Sequence, residues 1–320
     1  MTSNRSLRSS ITDVPGVRVG HLTVAEGEVQ TGVTAILPYA PSVRHRKLFL
    51  GAFEGGAPSA WTGLEVAEDF GTFASPIVLC NATAMGTAYD AMITRGYQRD
   101  AELPVDDAWP PIVIGMDDGY LNDLRRRRVG HEEVRRALDA ASDAAPPRGS
   151  VGIGRGLVAF GGKGGVGDFA RTARVGAGEH TVGVLVAANG GGPPEGARSV
   201  APGFVVIVAT DAPLWPEELR ALAEGAVRGM DAAPVRGADA RLALAFSTSN
   251  AIDGSVQAPP AQHYKAQRVG EAGLAILIEA AAGACRAALG RALTEAVAVT
   301  GRKGRTAAPL SADAIARICP

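Results

Sequence analysis

The sequence predicts an α/β domain in which sheets are stacked between layers of helices. Short apolar strands alternate with helical segments along the 320 residues, but they do not form regular βαβ units. Several predicted strands come in pairs, residues 151–160 with 181–188 and residues 204–209 with 242–246. Pairs of this kind fit stacked sheets between helices better than one doubly wound sheet.

The N-terminal half alternates short strands with helices. The predicted strands are apolar runs ended by Pro, Gly or polar residues, and they lie within residues 11–20 (after a turn), 32–37, 76–79 and 111–115. The predicted helices carry apolar residues at helical spacing, and they cover residues 61–73, 84–95 and 131–141. The glycine-rich residues 51–60 (GAFEGGAPSA) are predicted to form a loop.

The C-terminal half contains the clearest buried strand. Residues 204–208 are apolar and mostly β-branched between Pro-Gly and Asp-Ala-Pro, which predicts a strand buried on both faces. Further strands are predicted at 181–188 and 241–246, and the glycine-dense residues 150–167 favour a strand pair or a loop. Helices are predicted from Pro213 or Pro216 to Met230, over the Ala-rich residues 269–298, and after a polar turn at 300–312.

The composition excludes several classes of protein. Apolar residues make up 46% and charged residues 20%, with a net charge of −1, so neither a nucleic-acid partner nor a membrane partner is indicated. Cys80, Cys285 and Cys319 are far apart, and the histidines lack metal-binding spacing. We therefore expect no metal, no cofactor, no disulfide framework and no signal peptide, and we expect a cytoplasmic location.

The domain organisation is predicted to be simple. We find neither an internal repeat nor a convincing linker, and the first residues are polar and basic. We therefore expect a flexible arm at residues 1–10 and one domain over residues 11–320.

The GGKGGVGD segment at residues 161–168 invites comparison with a phosphate-binding loop. Such a loop needs Ser or Thr after the Gly-Lys pair, so that the hydroxyl holds Mg²⁺. Here Gly164 follows Lys163, and Asp168 would repel a phosphate. The glycines therefore indicate tight turns or close backbone packing.

Two polar groups follow predicted strands and are candidates for a site. Asp117, Asp118 and Asp123 follow residues 111–115, where they can line a cleft or form Asx turns, and both interpretations stay open. Asn189 closes the strand at 181–188, where its amide N–H₂ can stabilise an oxyanion or can simply belong to a turn.

Eight segments, in the same order, resemble the P1 peptidase family, which comprises the DmpA-type L-aminopeptidase/D-esterase enzymes and the β-peptidyl aminopeptidases. They are ITDVPGVRVGH (11–21), TGVT (31–34), GLEVAEDFG with SPIVLCNA (63–82), DDGYLND (117–123), GSVGIGRGLVAFGGKGGVG (149–167), TVGVLVAANG (181–190), VVIVATDAPL (205–214) and LAFSTSN (244–250). The resemblance covers nearly the whole chain. It implies a four-layer αββα sandwich like that of N-terminal-nucleophile hydrolases, a homotetramer, and no metal or cofactor.

The resemblance also assigns site residues and shows a departure. Family members cut themselves at a Gly–Ser bond, and the freed Ser is the nucleophile, with its own α-amine as base. The matching dipeptide here is Pro202-Gly203, and Gly203 has no side chain that can attack. Asn189 matches the family's oxyanion-hole Asn, and Ser247 matches a Ser near the nucleophile.

Further departures surround that position. The family's Glu and Tyr, which contact the substrate amine and the reaction centre, match Gly115 and Asp117. The family's acidic partner close to the Ser at 247 is not evident, because Ser249 and Asn250 follow. The other residues considered as replacement nucleophiles, none of them favoured, are Ser199, Thr210 and Cys80. We therefore expect the chain to remain uncleaved.

Three functional hypotheses follow. In the first, a diverged enzyme acts on a small amino-acid-like or peptide-like amide or ester, by hydrolysis or by a non-hydrolytic step. Its catalytic residues would be Asn189, Asp117 and Ser247, and its substrate-binding residues would be Asp118, Asn81 and Gly203. In the second, an aminopeptidase or amidase uses another nucleophile such as Ser199. In the third, the protein is a non-catalytic binder. Each is expected to be a homo-oligomer that takes a small molecule or short peptide.

Overall fold

Two β-sheets lie face to face between two layers of helices in the computed structural model, which describes residues 9–39, 46–99, 110–192, 203–235, 239–253 and 265–320. In these residues the strands are β1 (Arg18–Glu26), β2 (Val29–Leu37), β3 (Arg46–Gly55), β4 (Ala60–Thr62), β5 (Thr72–Phe73), β6 (Ile77–Asn81), β7 (Ile112–Met116), β8 (Val158–Ala159), β9 (Gly162–Lys163), β10 (Gly165–Val175), β11 (Gly178–Ala188), β12 (Gly203–Thr210), β13 (Ala240–Asp253), β14 (Val299–Thr300) and β15 (Thr306–Ala307). The helices are α1 (Leu64–Phe70), α2 (Met85–Arg99), α3 (His131–Asp139), α4 (Pro216–Val227), α5 (Glu271–Thr294) and α6 (Ala312–Ile318). The predicted αββα sandwich is confirmed.

The strand order of the two sheets decides which chain segments meet. The first sheet has the order β1-β2-β6-β7-β4, and its central pair β6 and β7 is parallel. The second sheet has the order β10-β11-β12-β13-β3-β5, with β12 antiparallel to β11 and parallel to β13. The end of β11 therefore lies beside the beginning of β12, and the beginnings of β12 and β13 share one edge.

Alternating side chains of β12 fill two different cores. Val205 and Ile207 pack between the two sheets with residues of the first sheet such as Ile114. Val206 and Val208 face the other way and pack with α4 and α5. The strand at 204–208 is therefore buried on both faces, as its continuous apolar run predicts.

The residues predicted to be a glycine-rich loop at 51–60 lie partly in a strand, and that prediction is wrong. Residues 51–55 belong to β3, which pairs with β13. A Cβ at Gly51 would lie 2.2 Å from the backbone nitrogen of Arg220 on α4. Gly51 therefore allows α4 to approach the sheet closely. The sequence analysis interpreted the high glycine content as a loop because this contact is not visible in the sequence.

The glycines at 161–167 produce tight turns and close backbone packing, as predicted. β8 and β9 form a small hairpin whose turn holds Phe160 and Gly161 at φ angles of 52° and 80°. A Cβ at Gly164 would lie 2.2 Å from the carbonyl oxygen of Ala188. The eleven-residue strand β10, which begins at Gly165, was missed by the sequence analysis because polar residues interrupt its apolar pattern.

Two predicted helices have shorter bounds in the structure. Trp61 was expected in a helix, but it lies in β4, because Gly63 at φ 72° interrupts the chain before α1. The Ala-rich helix covers Glu271–Thr294 instead of 269–298. By length and composition alone this helix, α5, is apolar enough to cross a membrane, but it packs against β10, β11 and α4 as a core helix.

The flexible arm predicted at 1–10 lies mostly outside the described residues, and it does not extend to Ser10. Ser10 is buried, and its Oγ donates a hydrogen bond to Asp168 Oδ2 at 2.6 Å. Asp168 also accepts from the backbone N–H of Ile11 at 2.8 Å and from the guanidinium of Arg148. These contacts fix the start of the domain to β10.

Candidate active site

The candidate site lies at one edge of the sandwich, where polar residues of both sheets meet. In the first sheet, Asn81 ends β6, and Asp117 directly follows the parallel strand β7. In the second sheet, Asn189 directly follows β11, and Gly203 begins β12. Because β11 and β12 are antiparallel neighbours, Asn189 and Gly203 come together, and Gly203 N–H donates to the Asn189 carbonyl at 2.5 Å.

The Asn189 side chain connects the two sheets. Its Nδ2 donates to the carbonyl oxygen of Asp117 at 2.8 Å, and its Oδ1 accepts from the backbone N–H of Val158 at 3.1 Å. A donor faces the oxygen and an acceptor faces the nitrogen, so the amide has one consistent orientation. An amide nitrogen carries two hydrogens, and the bond to Asp117 uses one of them.

Asp117 forms an Asx turn and also lies at the site, so both interpretations that the sequence left open apply to it. Its Oδ1 accepts from the backbone N–H of Gly119 at 2.9 Å, which is an Asx turn. The residue is also partly exposed and adjoins Asn189 through its own carbonyl. A carboxylate has about four lone-pair sites, so the turn leaves it able to accept further hydrogen bonds.

Asp118 is a buried structural residue, and the expectation that it contacts substrate directly is wrong for this structure. Its side chain is 0% exposed, and its two oxygens accept from Thr31 Oγ1 at 2.5 Å and from Asn122 Nδ2 at 3.1 Å. Burial raises the pKa of Asp118 to about 7, and the charge of Asp117 adds to that effect, while the bonds from Thr31 and Asn122 oppose it.

Asn81 lines a neighbouring pocket. Its Nδ2 lies 3.4 Å from Thr31 Oγ1, and its Oδ1 accepts from Thr83 Oγ1 at 2.7 Å. A narrow polar pocket beside it is lined by Asn81 itself and by other residues, among them Thr83, Thr87, Asn122 and Arg127. Asn81 therefore helps to hold the end of β6 at this edge of the first sheet, by its contact with Thr31 of β2.

The neighbouring strand β13 restricts the size of a side chain that could replace Gly203. Its register partner is Ala240, the first residue of β13, and a Cβ at position 203 would lie 3.1 Å from the Cβ of Ala240. A small side chain at this position therefore requires the neighbouring strand to shift by a few tenths of an ångström.

Asp239 is a functional candidate that the sequence analysis missed. It directly precedes β13, it is buried, and its Oδ2 accepts from the backbone N–H of Gly191 at 2.7 Å. Because β12 and β13 are parallel, this carboxyl lies at the same edge as Gly203. The sequence does show an Asp just before a predicted strand, which could have marked a candidate. It does not show that this strand runs parallel to β12, which is what brings Asp239 to the edge at Gly203.

Ser247 does not lie at this edge, and its expected position in the same pocket is wrong. Its register partner is Thr210, seven residues along β12 from Gly203, which corresponds to about 23 Å. Its Oγ donates to the Ala212 carbonyl at 2.7 Å and accepts from the Ser249 N–H at 3.1 Å. Ser247 therefore fixes the turn that follows β12.

The structure describes two of the three replacement nucleophiles considered from the sequence, Thr210 and Cys80. Ser199 and Pro202 lie outside the described residues. Thr210 is at the distal end of β12 and donates to the Thr181 carbonyl at 2.9 Å. Burial raises the pKa of the Cys80 thiol to about 12, so this thiol stays protonated and unreactive at neutral pH.

An αββα sandwich of this kind is the fold of the N-terminal-nucleophile (Ntn) hydrolases. The sequence profile of peptidase family S58 matches residues 9–307, so the chain belongs to peptidase family S58. It is 32% identical to the beta-peptidyl aminopeptidase BapA of Sphingosinicella microcystinivorans, over 93% of this chain and 84% of that protein.

Solved structures agree with this assignment. A Burkholderia sp. beta-aminopeptidase superposes with a TM-score of 0.86 at 31% identity, covering 96% of this chain and 92% of its own. The L-aminopeptidase D-Ala-esterase/amidase of Ochrobactrum anthropi, described as a variant of the Ntn hydrolase fold, gives 0.85 at 28% identity, covering 97% and 92%. The protein thus has the fold of a hydrolase family whose named members are aminopeptidases.

Proposed function

We propose that this chain is a divergent S58 hydrolase that acts on a small amino-acid-like or peptide-like amide or ester without a Ser nucleophile at the start of β12. The observation that carries the proposal is the convergence of Asn189, Asp117 and Gly203 at one edge of the sandwich. The residue at the start of β12 is a glycine, which supplies backbone but no attacking atom.

In the proposed reaction, Asn189 polarises the substrate carbonyl. The amide hydrogen that does not bond to Asp117 is directed at the carbonyl oxygen, where negative charge develops. The amide is held from both sides, by Val158 and Asp117, so it is preorganised for that role. Loss of one oxyanion donor costs about 10²–10³ in kcat in other hydrolases.

Asp117 supplies the negative charge of the site. Its partly exposed carboxylate is suited to hold the ammonium group of an amino-acid-like substrate beside Asn189. A water molecule then attacks the carbonyl carbon and gives a proton to a carboxylate, for which Asp239 at the same edge is the candidate. The bond to the amine or alcohol breaks, and the leaving group takes up that proton.

The first experiment measures turnover on amides and esters of α- and β-amino acids with a chromogenic leaving group. Asp117→Asn is expected to raise KM mainly for substrates with a free amine, and Asn189→Ala is expected to lower kcat about 100-fold. Ser247→Ala is the matched control, because Ser247 lies at the opposite end of β12. Turnover that survives Asn189→Ala but not Ser247→Ala contradicts the proposal.

The second experiment is the intact mass of the purified protein under denaturing conditions. One chain of full-length mass is expected, because neither Gly203 nor Phe204 can cleave the chain in the manner of the family. Two fragments with a new N-terminus at Ser199 would instead establish an autoprocessed aminopeptidase. A specific ligand that stabilises the protein but is never converted would establish a binding protein.

The proposal extends to the assembly and location that the resemblance implies. We propose a homo-oligomer in the cytoplasm, without a resident metal or cofactor. Light scattering at micromolar concentration tests the assembly, and a monomeric mass of 32.7 kDa would contradict it.

A further inference from the structure

Lys163 is a fully buried lysine whose ammonium group is completely engaged. Its side chain is 0% exposed, and Nζ donates to the backbone carbonyls of Gly154 at 2.6 Å, Leu157 at 2.8 Å and Gly164 at 2.7 Å. An ammonium group has three donors, and three carbonyls accept here. The GGKGG segment therefore fixes a positive charge inside the protein.

One of these carbonyls belongs to the peptide unit that contacts the candidate site. The Leu157 carbonyl and the Val158 N–H lie on opposite sides of the same planar peptide. Lys163 donates to that carbonyl, and that N–H donates to Asn189 Oδ1 at 3.1 Å. Asn189 in turn donates to the Asp117 carbonyl at 2.8 Å. The result is a continuous chain of hydrogen bonds from the ammonium group to the site.

The direction of this chain has an electrostatic consequence. A positive charge on a peptide carbonyl polarises the peptide and strengthens its N–H as a donor, by about 10–30% for each bond in such chains. A stronger Val158 N–H holds the oxygen of the Asn189 amide, so that the nitrogen stays directed away from Val158. The Leu157 carbonyl also accepts from the Gly164 N–H at 3.1 Å, which fixes the plane of the peptide.

Packing alone would favour an apolar residue at this position. Burial lowers the pKa of Lys163 well below its ordinary value, and the nearby charge of Arg155 lowers that pKa further. Arg155 is itself held by a hydrogen bond from its Nε to Gln30 Oε1 at 2.6 Å. Keeping the charged ammonium form here costs desolvation free energy, and the three carbonyls, one for each of its hydrogens, offset that cost.

We propose that Lys163 is a positioning residue that orients the Asn189 amide through the Leu157–Val158 peptide. The kinetic part of this proposal rests on the proposed function, in which Asn189 polarises the substrate carbonyl. The structural part, energetic coupling between Lys163 and Asn189, is independent of any activity.

The first measurement is therefore a double-mutant cycle on stability in urea, which needs no substrate. We compare Lys163→Met, which keeps an unbranched side chain shorter by one atom but loses its donors, with Asn189→Ala and with the double variant. The shift of the urea midpoint in the double variant is expected to be smaller than the sum of the two single shifts. The control cycle pairs Lys163→Met with Ser247→Ala, and its shifts are expected to add. Additive shifts in both cycles overturn the proposal.

The second measurement separates positioning from a general structural role. On a substrate that the wild type turns over, Lys163→Met is expected to lower kcat about tenfold with KM within about twofold, because the carbonyl is bound but less well polarised. In the Asn189→Ala background the same substitution is expected to leave kcat unchanged within about twofold. An equal loss in both backgrounds overturns the proposal.

The outcomes distinguish this proposal from the proposed function. Coupling in urea without turnover by the wild type supports the positioning role and contradicts the hydrolase. Turnover with additive effects supports the hydrolase and contradicts the positioning role. Lys163→Gln, which keeps a neutral donor, is the second variant if Lys163→Met does not fold, and failure of both to fold assigns Lys163 a purely structural role.

Discussion

Substituting Asp118 with Asn is expected to remove a pH-dependent destabilisation of the folded protein. Burial raises the pKa of this carboxyl from an ordinary 3.8 to about 7. Between these values the folded state keeps a proton that the unfolded chain has released, so stability falls as the pH rises through this window. Each pH unit is worth about 1.4 kcal/mol, which gives a loss of about 4 kcal/mol by pH 8.

Asn is a suitable replacement because it can satisfy the same partners. Its oxygen can accept from Asn122 Nδ2, and its nitrogen can donate to Thr31 Oγ1. At pH 5 the folded wild-type carboxyl is still neutral, but the unfolded chain has already released its proton, so about 1–2 kcal/mol of the loss is already present there. At pH 8 the variant is expected to gain about 3 kcal/mol relative to the wild type, compared with pH 5.

The assay is urea unfolding of both proteins at several pH values from 5 to 8, compared at each pH. The comparison at equal pH is necessary because burial lowers the pKa of His21 to about 4, so His21 destabilises the fold as the pH falls below 6.5. Subtraction of the two profiles removes that opposite contribution. Asp313→Asn, at an exposed carboxylate of α6, is the control and is expected to run parallel to the wild type. Profiles of Asp118→Asn that stay parallel to the wild type within about 0.5 kcal/mol would refute the reasoning.

Two further predictions concern packing and charge. Gly51→Ala is expected to cost about 3 kcal/mol of unfolding free energy, because its Cβ would lie 2.2 Å from the Arg220 nitrogen. Gly86→Ala in α2 is the matched control: no atom lies within 4 Å of its Cβ, and a gain of about 0.5–1 kcal/mol is expected. Arg148→Met is expected to cost about 3 kcal/mol because it leaves the buried Asp168 without its guanidinium, and a second change, Asp168→Asn, should recover part of the loss. Urea midpoints check each case, and an Arg148→Met variant as stable as the wild type would contradict the last.

The layered arrangement of strands and helices could be predicted from the sequence, because continuous apolar runs indicate buried strands. The five residues after Gly203 predicted a strand buried on both faces, and two cores on its two sides explain why. β3 was missed because Gly51 serves a close helix contact, which is a tertiary cause. β10 was missed because its alternating polar residues face solvent along part of its length.

The site was only partly accessible, because its geometry depends on strand register. The resemblance assigned Asn189 and Gly203 to one pocket, and in the structure a backbone hydrogen bond joins the two residues. Ser247 was misplaced because the resemblance assigned it to the pocket, and the register of β13 relative to β12, which excludes that position, cannot be read from either strand alone. Asp239 was overlooked for the same reason.

The parallel pairing of β12 and β13 has a consequence for how this family can diversify. The first residues of both strands occupy the same edge, so the backbone offers two adjacent attachment points for a functional group. A side chain that is absent from one strand can be supplied by its neighbour while the backbone hydrogen bonds between the two strands stay the same. The fold therefore accommodates a glycine at the start of β12, and the start of β13 remains a position from which a functional side chain can reach the same edge.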